Sequence, residues 1–252
     1  MSTTDIEKVV SALRGFASRD AELTTRHVHP SKFIQHNPFV ADGVEGLKDE
    51  ISQLRRENHH LEVVRAFQDG PYVFTHAEGL IGGQGVFFDI FRFEDGLMVE
   101  HWGFSAPPAP PNASGHTQSD GPKEAKHIGD TEKNKAFMRN YYETFHISGN
   151  HDNFERYFFD NYCVRHEPGV TDGVAAFMRD VDAAIQHRTI DELPVLLGQG
   201  DFVFIVAKGT HESKPCVFVD LYRVAHEKIV EHWGFPEMIP SREESKNNNG
   251  ML

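Results

Sequence analysis

Cysteine occurs only twice in 252 residues, at Cys163 and Cys216. Two thiols make no disulfide framework, so the core has to come from apolar packing. Basic residues are also scarce: 25 Lys and Arg stand against 38 Asp and Glu, a formal net charge of −13. That balance repels phosphate backbones, and no basic run or Arg-plus-aromatic stripe offsets it, so no nucleic-acid partner is expected. No apolar run approaches the length of a membrane span, and no membrane partner is expected. The opening residues, MSTTDIEKVV, carry acids where a secretory leader carries cations and lack an apolar stretch; a reduced, cytoplasmic setting is the expectation. The chain lacks a Walker loop, a dinucleotide glycine fingerprint and a nucleophile elbow. Gly82-Gly83-Gln84-Gly85 has no helix after it and reads as a hairpin turn. Sixteen histidines are present, the densest being His27-Val28-His29 and His59-His60, without the spacing of a zinc site. No metal and no cofactor is expected.

What the chain does have is one message stated twice. VFFDIFRFEDGLMVEHWGF (86–104) and VFVDLYRVAHEKIVEHWGF (217–235) share 10 of 19 residues, ending in Val-Glu-His-Trp-Gly-Phe. Upstream, His36 matches His166, Pro38 matches Pro168, and Asp42-Gly43 matches Asp172-Gly173. A period near 130 residues is too long for a solenoid repeat and marks two tandem domains. The boundaries read as residues 1–104 for copy one and 127–240 for copy two. Between them, 105–126 is rich in Pro, Ser and Gly and reads as an extended linker; 241–252 is polar and reads as a disordered tail.

Each copy begins helical. Thr4 and Glu7 form a capping-box pair, and Ile6, Val9, Val10, Leu13 and Phe16 recur at helical spacing, as do Met138, Tyr142 and Phe145 in copy two. A second helix carries Val44, Leu47, Ile51 and Leu54, with Val174, Phe177, Val181 and Ile185 as counterparts. Strands follow at 61–67, 72–78, 86–93 and 97–104, which makes the fold class α+β. Asp95-Gly96 predicts a type I′ hairpin; the unbroken register from it places Asp89 opposite Trp102. One face then holds Phe87, Asp89, Phe91, Glu100 and Trp102, and the other holds Ile90, Arg92 and His101. Both faces are largely apolar, so the second copy's sheet is the expected cover for one of them.

On that register Asp89 sits among aromatics and diagonal to Glu100. Poor solvation and a neighbouring carboxylate both disfavour its ionised form, and a protonated acid there can donate a hydrogen bond to a substrate oxyanion. Phe91, Glu100 and Trp102 line the same presumed pocket; His166, Tyr222, Glu231 and Trp233 do so in copy two. His36 and His76 are further acid–base candidates in copy one, because imidazole titrates near neutrality; the plainer alternative is a half-buried histidine bonded to backbone. His101 and His232 fall on the outer face and read as interface residues.

The elements Gln35-His36-Asn37-Pro38, Asp42-Gly43, FQDG (67–70), Asp89-Ile90-Phe91-Arg92 and Glu100-His101-Trp102 resemble the SnoaL-like polyketide cyclase group of the NTF2-like superfamily. The resemblance implies a cone in each copy, a curved, mostly antiparallel sheet wrapped around helices with a pocket between them. It further implies pairing of the two copies as an intramolecular pseudo-dimer. Members of the superfamily include cyclases, ketosteroid isomerases, epoxide hydrolases, dehydratases and pure binding domains. In ketosteroid isomerases a neutral Asp in an apolar site donates to the oxyanion, and the strand around it resembles Asp89-Ile90-Phe91-Arg92-Phe93. Carrying that comparison over, the general base falls at Asn37 in copy one and at Glu167 in copy two. The oxyanion Tyr falls at Tyr142, seven residues before Gly149, with Asp220 as the second donor. The implied set for copy two is therefore Glu167 as base with Tyr142 and Asp220 as donors. Many relatives carry Asp after the Trp, where this chain has Gly103 and Gly234. The function implied is cofactor-independent cyclase, isomerase or aldol-type chemistry on a small hydrophobic carbonyl compound. The alternative is a non-catalytic binding or assembly module.

Overall fold

The computed structural model describes residues 3–54, 59–81, 84–160 and 162–252; Gly82 and Gly83 of the turn expected at 82–85 lie outside them. The chain divides into two compact units, Met1–Pro108 with Pro240–Leu252, and Ala109–Ile239. Each is α+β, with helices on a five-stranded sheet.

In unit 1, α1 (Asp5–Ser18) starts on the Thr4 cap, whose side chain accepts from the Glu7 amide while Glu7 reaches back to the Thr4 amide. This is the capping box read from the sequence. After α2 (Ala21–Thr25) come β1 (Ile34–Gln35), α3 (Gly43–Gln53), β2 (His60–Asp69), β3 (Tyr72–Leu80), β4 (Gln84–Glu94) and β5 (Leu97–Ala106). The sheet order is β1-β5-β4-β3-β2, antiparallel except for β1, which lies parallel to β5. Val9 and Ala12 of α1 and Leu47 and Ile51 of α3 pack on Val73, Phe91, Phe93 and Met98 of the sheet. The helices thus cover the face that carries alternate residues of β4. Unit 2 repeats this with α4 (Thr131–Tyr141), β6 (Val164–Arg165), α5 (Val174–Ala184), β7 (Arg188–Gln199), β8 (Phe202–His211), β9 (Lys214–Ala225) and β10 (Lys228–Met238). Its order is β6-β10-β9-β8-β7. Past α4 the backbone continues as a π-helical turn, Tyr142–Ile147.

The hairpin register differs from the sequence expectation by one residue. The Asp95-Gly96 turn forms with φ of 49° and 78°, the positive values that a type I′ turn requires. Glu94 pairs with Leu97 and Phe93 with Met98, but Arg92 then pairs with Glu100, skipping Val99. A one-residue bulge exchanges the faces of every later side chain on its strand. Asp89 therefore stands opposite Gly103, and Phe91 opposite His101. Unit 2 carries the same bulge at Val230, giving Asp220 opposite Gly234 and Tyr222 opposite His232.

The two polar stretches also differ from expectation. Ala109–Lys126, read as linker, belongs to unit 2: Asn112 is buried and donates through Nδ2 to the Arg165 carbonyl at 2.7 Å. Residues 241–252, read as a disordered tail, pack on unit 1, where Asn247 donates to the carbonyls of Asn37 and Val40 and Met251 is buried. Polar side chains that satisfy loop carbonyls hold both stretches, which composition alone does not reveal. No helix among the described residues is long and apolar enough to cross a membrane.

Candidate functional site

The helix-covered face of unit 1 encloses a cavity of about 260 Å³, with Ala12, Leu13, Phe16, Phe33, Leu47, Phe87, Phe91 and Met98 in its wall. Seven polar residues share that wall: Thr24, Gln35, Asn37, Glu50, Asp89, His101 and Ser105. An apolar chamber with few convergent polar groups, near the small end of the usual range of roughly 300–1,000 Å³, is the form of a small-molecule site.

The polar groups are ordered by one another. The His101 ring stacks on Phe91 at 4.4 Å, and its Nε2 meets Asp89 Oδ1 at 3.0 Å. Its Nδ1 meets Gln35 Oε1 at 3.0 Å, because the two residues of β1 pair with Glu100 and His101. Gln35 Oε1 also accepts from the Asn37 amide at 2.8 Å, so this end of the Gln35 amide is an acceptor. His101 must then donate through Nδ1–H. Its Nε2 and Asp89 Oδ1 consequently hold one proton between them, as protonated Asp with neutral His or as carboxylate with imidazolium. Asn37 Oδ1 is taken by the Phe39 amide at 2.9 Å, which leaves its Nδ2 as the donor end. A Cβ built on Gly103 would lie 3.1 Å from Asp89 Oδ1 and 3.2 Å from Asn37 Nδ2, so these groups converge on one spot.

Several residues expected in this pocket lie elsewhere. Glu100 and Trp102 face the opposite side of the sheet, because the Val99 bulge reverses them. There His36 stacks on Trp102 at 4.7 Å and its Nε2 meets Glu100 Oε1 at 2.8 Å, while Arg92 Nε donates to Glu100 Oε2. His76 is buried on that side as well, against Phe88 and beside Arg65, so it shares no cavity with Asp89. His101, expected outside, is the partner of Asp89. Phe91 and Asp89 do line the cavity. The short parallel strand β1 and the role of Gln35 left no trace in periodicity; the Val-Glu-His-Trp repeat held the one available signal, a histidine kept in both copies.

Unit 2 brings its expected residues together in one chain of hydrogen bonds. Glu167 Oε1 lies 2.8 Å from His232 Nδ1, and His232 Nε2 lies 2.8 Å from Asp220 Oδ1. Tyr142 donates to Asp220 Oδ2 at 2.8 Å and contacts the Tyr222 hydroxyl at 3.2 Å. Arg165 donates to both Glu167 and Asp180. Burial works to raise Glu167, yet the imidazolium of His232 and the Arg165 guanidinium overcome it and hold the carboxyl at about 2. Burial likewise works to lower His232, but Glu167 and Asp220 raise it to about 9. Burial pushes the Tyr142 and Tyr222 hydroxyls well above their ordinary range. Tyr142, Phe145, Phe154, Phe158, Phe177 and Tyr222 pack together in the unit's core. Gln35 and Asn37 of unit 1 are thus matched by Arg165 and Glu167, and the single carboxylate contact of His101 is matched by an ion-pair chain through His232. His166, Trp233 and Glu231 repeat the stack of the opposite side: the rings lie 4.5 Å apart and His166 Nε2 meets Glu231 Oε1 at 2.9 Å.

No family model and no curated protein matches the chain. Solved structures similar to it include an NTF2-like protein and proteins assigned as a ketosteroid isomerase and a polyketide cyclase, each covering 42–45% of the chain. An NTF2-like protein of unknown function from Cytophaga hutchinsonii is 13% identical with a TM-score of 0.38, covering 42% of this chain and 94% of its own. A Kribbella flavida protein assigned as a ketosteroid isomerase is 19% identical with a TM-score of 0.38, covering 45% and 87%. A Bacillus cereus protein assigned as a polyketide cyclase is 21% identical with a TM-score of 0.35, covering 42% and 78%.

Proposed function

We propose that unit 1 is the working copy, a cofactor-independent site that moves a proton beside the carbonyl of a small hydrophobic compound, as isomerase, cyclase or aldol-type chemistry requires. The observation that carries this reading is the 3.0 Å contact of His101 Nε2 with Asp89 Oδ1 in the wall of an apolar cavity. As carboxylate beside imidazolium, Asp89 accepts the α-proton through Oδ2, which has no hydrogen-bond partner among the described residues. The Asn37 Nδ2–H group stabilises the enolate oxygen, and His101 keeps Asp89 charged within the chamber. Unit 2 serves as a structural copy in this reading, because both carboxylate oxygens of Glu167 are already engaged, Oε1 by His232 and Arg165 and Oε2 by the His166 amide.

A binding-only role is the second reading, favoured by the amide of Asn37 at the position where the ketosteroid isomerase comparison places a base. The test is α-deuterium exchange of small aryl ketones in D₂O, followed by NMR. Asp89→Asn is expected to slow exchange by about 10²-fold or more and Asn37→Leu by a comparable factor. Equal rates in wild type and both variants would refute the mechanism. A ligand retained in native mass spectrometry, with no exchange in any variant, would favour the binding role.

A further inference from the structure

We propose a divalent metal site of the zinc class in unit 2, formed by His116, Asp120 and His166, which clamps residues 109–126 to the end of β6. One ligand atom from each of these side chains lies within 4.8 Å of the others. Asp120 presents Oδ1 to His166 Nδ1 at 2.6 Å and Oδ2 to His116 Nδ1 at 3.7 Å. The Thr117 carbonyl oxygen also faces His166 Nδ1, at 2.9 Å.

The far side of each ring supplies an independent observation. His166 Nε2 bonds to Glu231 Oε1 at 2.9 Å, and His116 Nε2 bonds to Asp172 Oδ2 at 3.1 Å. A carboxylate behind the imidazole is the outer partner that metal-bound histidines carry, fixing the tautomer and sharpening the donor. His166 thus faces Glu231 with Nε2 and two oxygens, Asp120 Oδ1 and the Thr117 carbonyl, with Nδ1, and a cation among the latter would bind all three donors. His36 in unit 1 also lies between a carboxylate, Glu100, and a carbonyl, that of Gly250. Its neighbourhood shows no counterpart of His116 and Asp120 among the described residues, so the clamp belongs to unit 2 alone.

Two imidazole nitrogens, a carboxylate and a carbonyl oxygen or water make a mixed N,O set suited to zinc. A tetrahedral shell at bond lengths of about 2.0–2.1 Å needs donor spacings of about 3.4 Å. His116 and Asp120 are both partly exposed and can close that difference by rotating. The segment they ride on is already placed: Asn112 donates to the Arg165 carbonyl, and Trp233 Nε1 donates to the Asp120 carbonyl at 3.1 Å.

The experiment uses the full chain, stripped with chelator and titrated with zinc chloride by calorimetry, with cobalt(II) as the spectroscopic probe. Wild type is expected to take up one equivalent and to give the visible absorption of four-coordinate cobalt. His116→Ala and Asp120→Asn should each weaken uptake at least tenfold, while His27→Ala, in the densest histidine cluster of unit 1, should leave it unchanged. Circular dichroism checks folding, and His116→Gln replaces any variant that fails it. Uptake well below one equivalent, or binding by His116→Ala as tight as wild type, would overturn the assignment and leave an imidazolium ion pair in its place.

Discussion

A difference of one side chain at each of two positions changes the partner of the site histidine. Gln35 offers His101 a neutral acceptor, whereas the matching Arg165 cannot accept, and Glu167 takes over as the partner of His232. The neutral partner leaves His101 with one carboxylate neighbour, Asp89, whereas His232 stands between two, Glu167 and Asp220. Asp89 and Phe91 were legible in the sequence because alternation along β4 needs no knowledge of a partner strand. His101 was not, since its face depends on an extra residue in β5 that no local composition announces. The glycine after each Trp has a physical reason here: it stands directly opposite Asp89 or Asp220. A Cβ on Gly234 would lie 2.3 Å from Asp220 Oδ1, which Tyr142 and His232 pin in place. Gly234→Ala is therefore expected to destabilise unit 2 by about 1–3 kcal/mol. On Gly103 the nearest atoms are 3.1–3.2 Å away, at the ends of side chains bordering a cavity. Gly103→Ala should leave the thermal midpoint within a degree or two and act instead on the exchange reaction. Equal destabilisation by both alanines in paired thermal melts would contradict this contrast.

At the level of elements, the helices and the four long strands of each copy follow from periodicity, and their cores formed where the apolar positions pointed. The two-residue strands β1 and β6 were beyond reach, because two residues show no period and their partners lie 66 and 67 positions away. The second hairpin shows how far tertiary context overrides a turn signal. His226 and Glu227 adopt φ of 53° and 57°, values that cost non-glycine residues free energy, because the paired strands on either side impose the turn. In unit 2, β6, β9 and β10 bring Glu167, Asp220 and His232 into one chain of charge, and its pH dependence follows. Glu167, at about 2 against an ordinary 4.5, contributes stability above pH 4.5 that is lost as pH falls toward 2. His232, at about 9 against 6.5, contributes stability that is complete below pH 6.5 and lost as pH rises through 9. Unit 2 is expected to be most stable between pH 4.5 and 6.5 and to lose roughly 3 kcal/mol by pH 9, counting the pair once. Denaturant melts across that range should show the decline, and His232→Gln should flatten it. A wild-type profile level from pH 6 to 9 would refute the charged assignment.

At the level of the whole chain, the duplication was plain from the repeat, but the fate of the connecting segments was not. The stretch that follows the first sheet packs on the second unit, and the stretch that follows the second sheet packs on the first. Pro, Ser, Gly and Asn are read as linker residues because they form no core of their own; here their side chains serve another segment's backbone. Residues 246–251 do this along the loop that walls the cavity. The Lys246 amide donates to the Pro38 carbonyl at 2.7 Å, Asn249 Nδ2 donates to the Gln35 carbonyl and to Asp42 Oδ1, and Lys246 Nζ pairs with Glu50 at 2.9 Å. Gln35, which ends β1 and bonds to His101, leads into that loop, and Asn37 lies on it. Truncation after Pro240 removes these partners together with the buried Met251. It is expected to cost unit 1 roughly 2–4 kcal/mol, a few net hydrogen bonds and one apolar side chain. It should also raise amide exchange across residues 35–42 while leaving β7–β10 protected. Ketone exchange should fall with it even where the unit stays folded, because Gln35 no longer holds the His101 tautomer. Unchanged protection of 35–42 in the truncated chain would show that the loop stands without its strap.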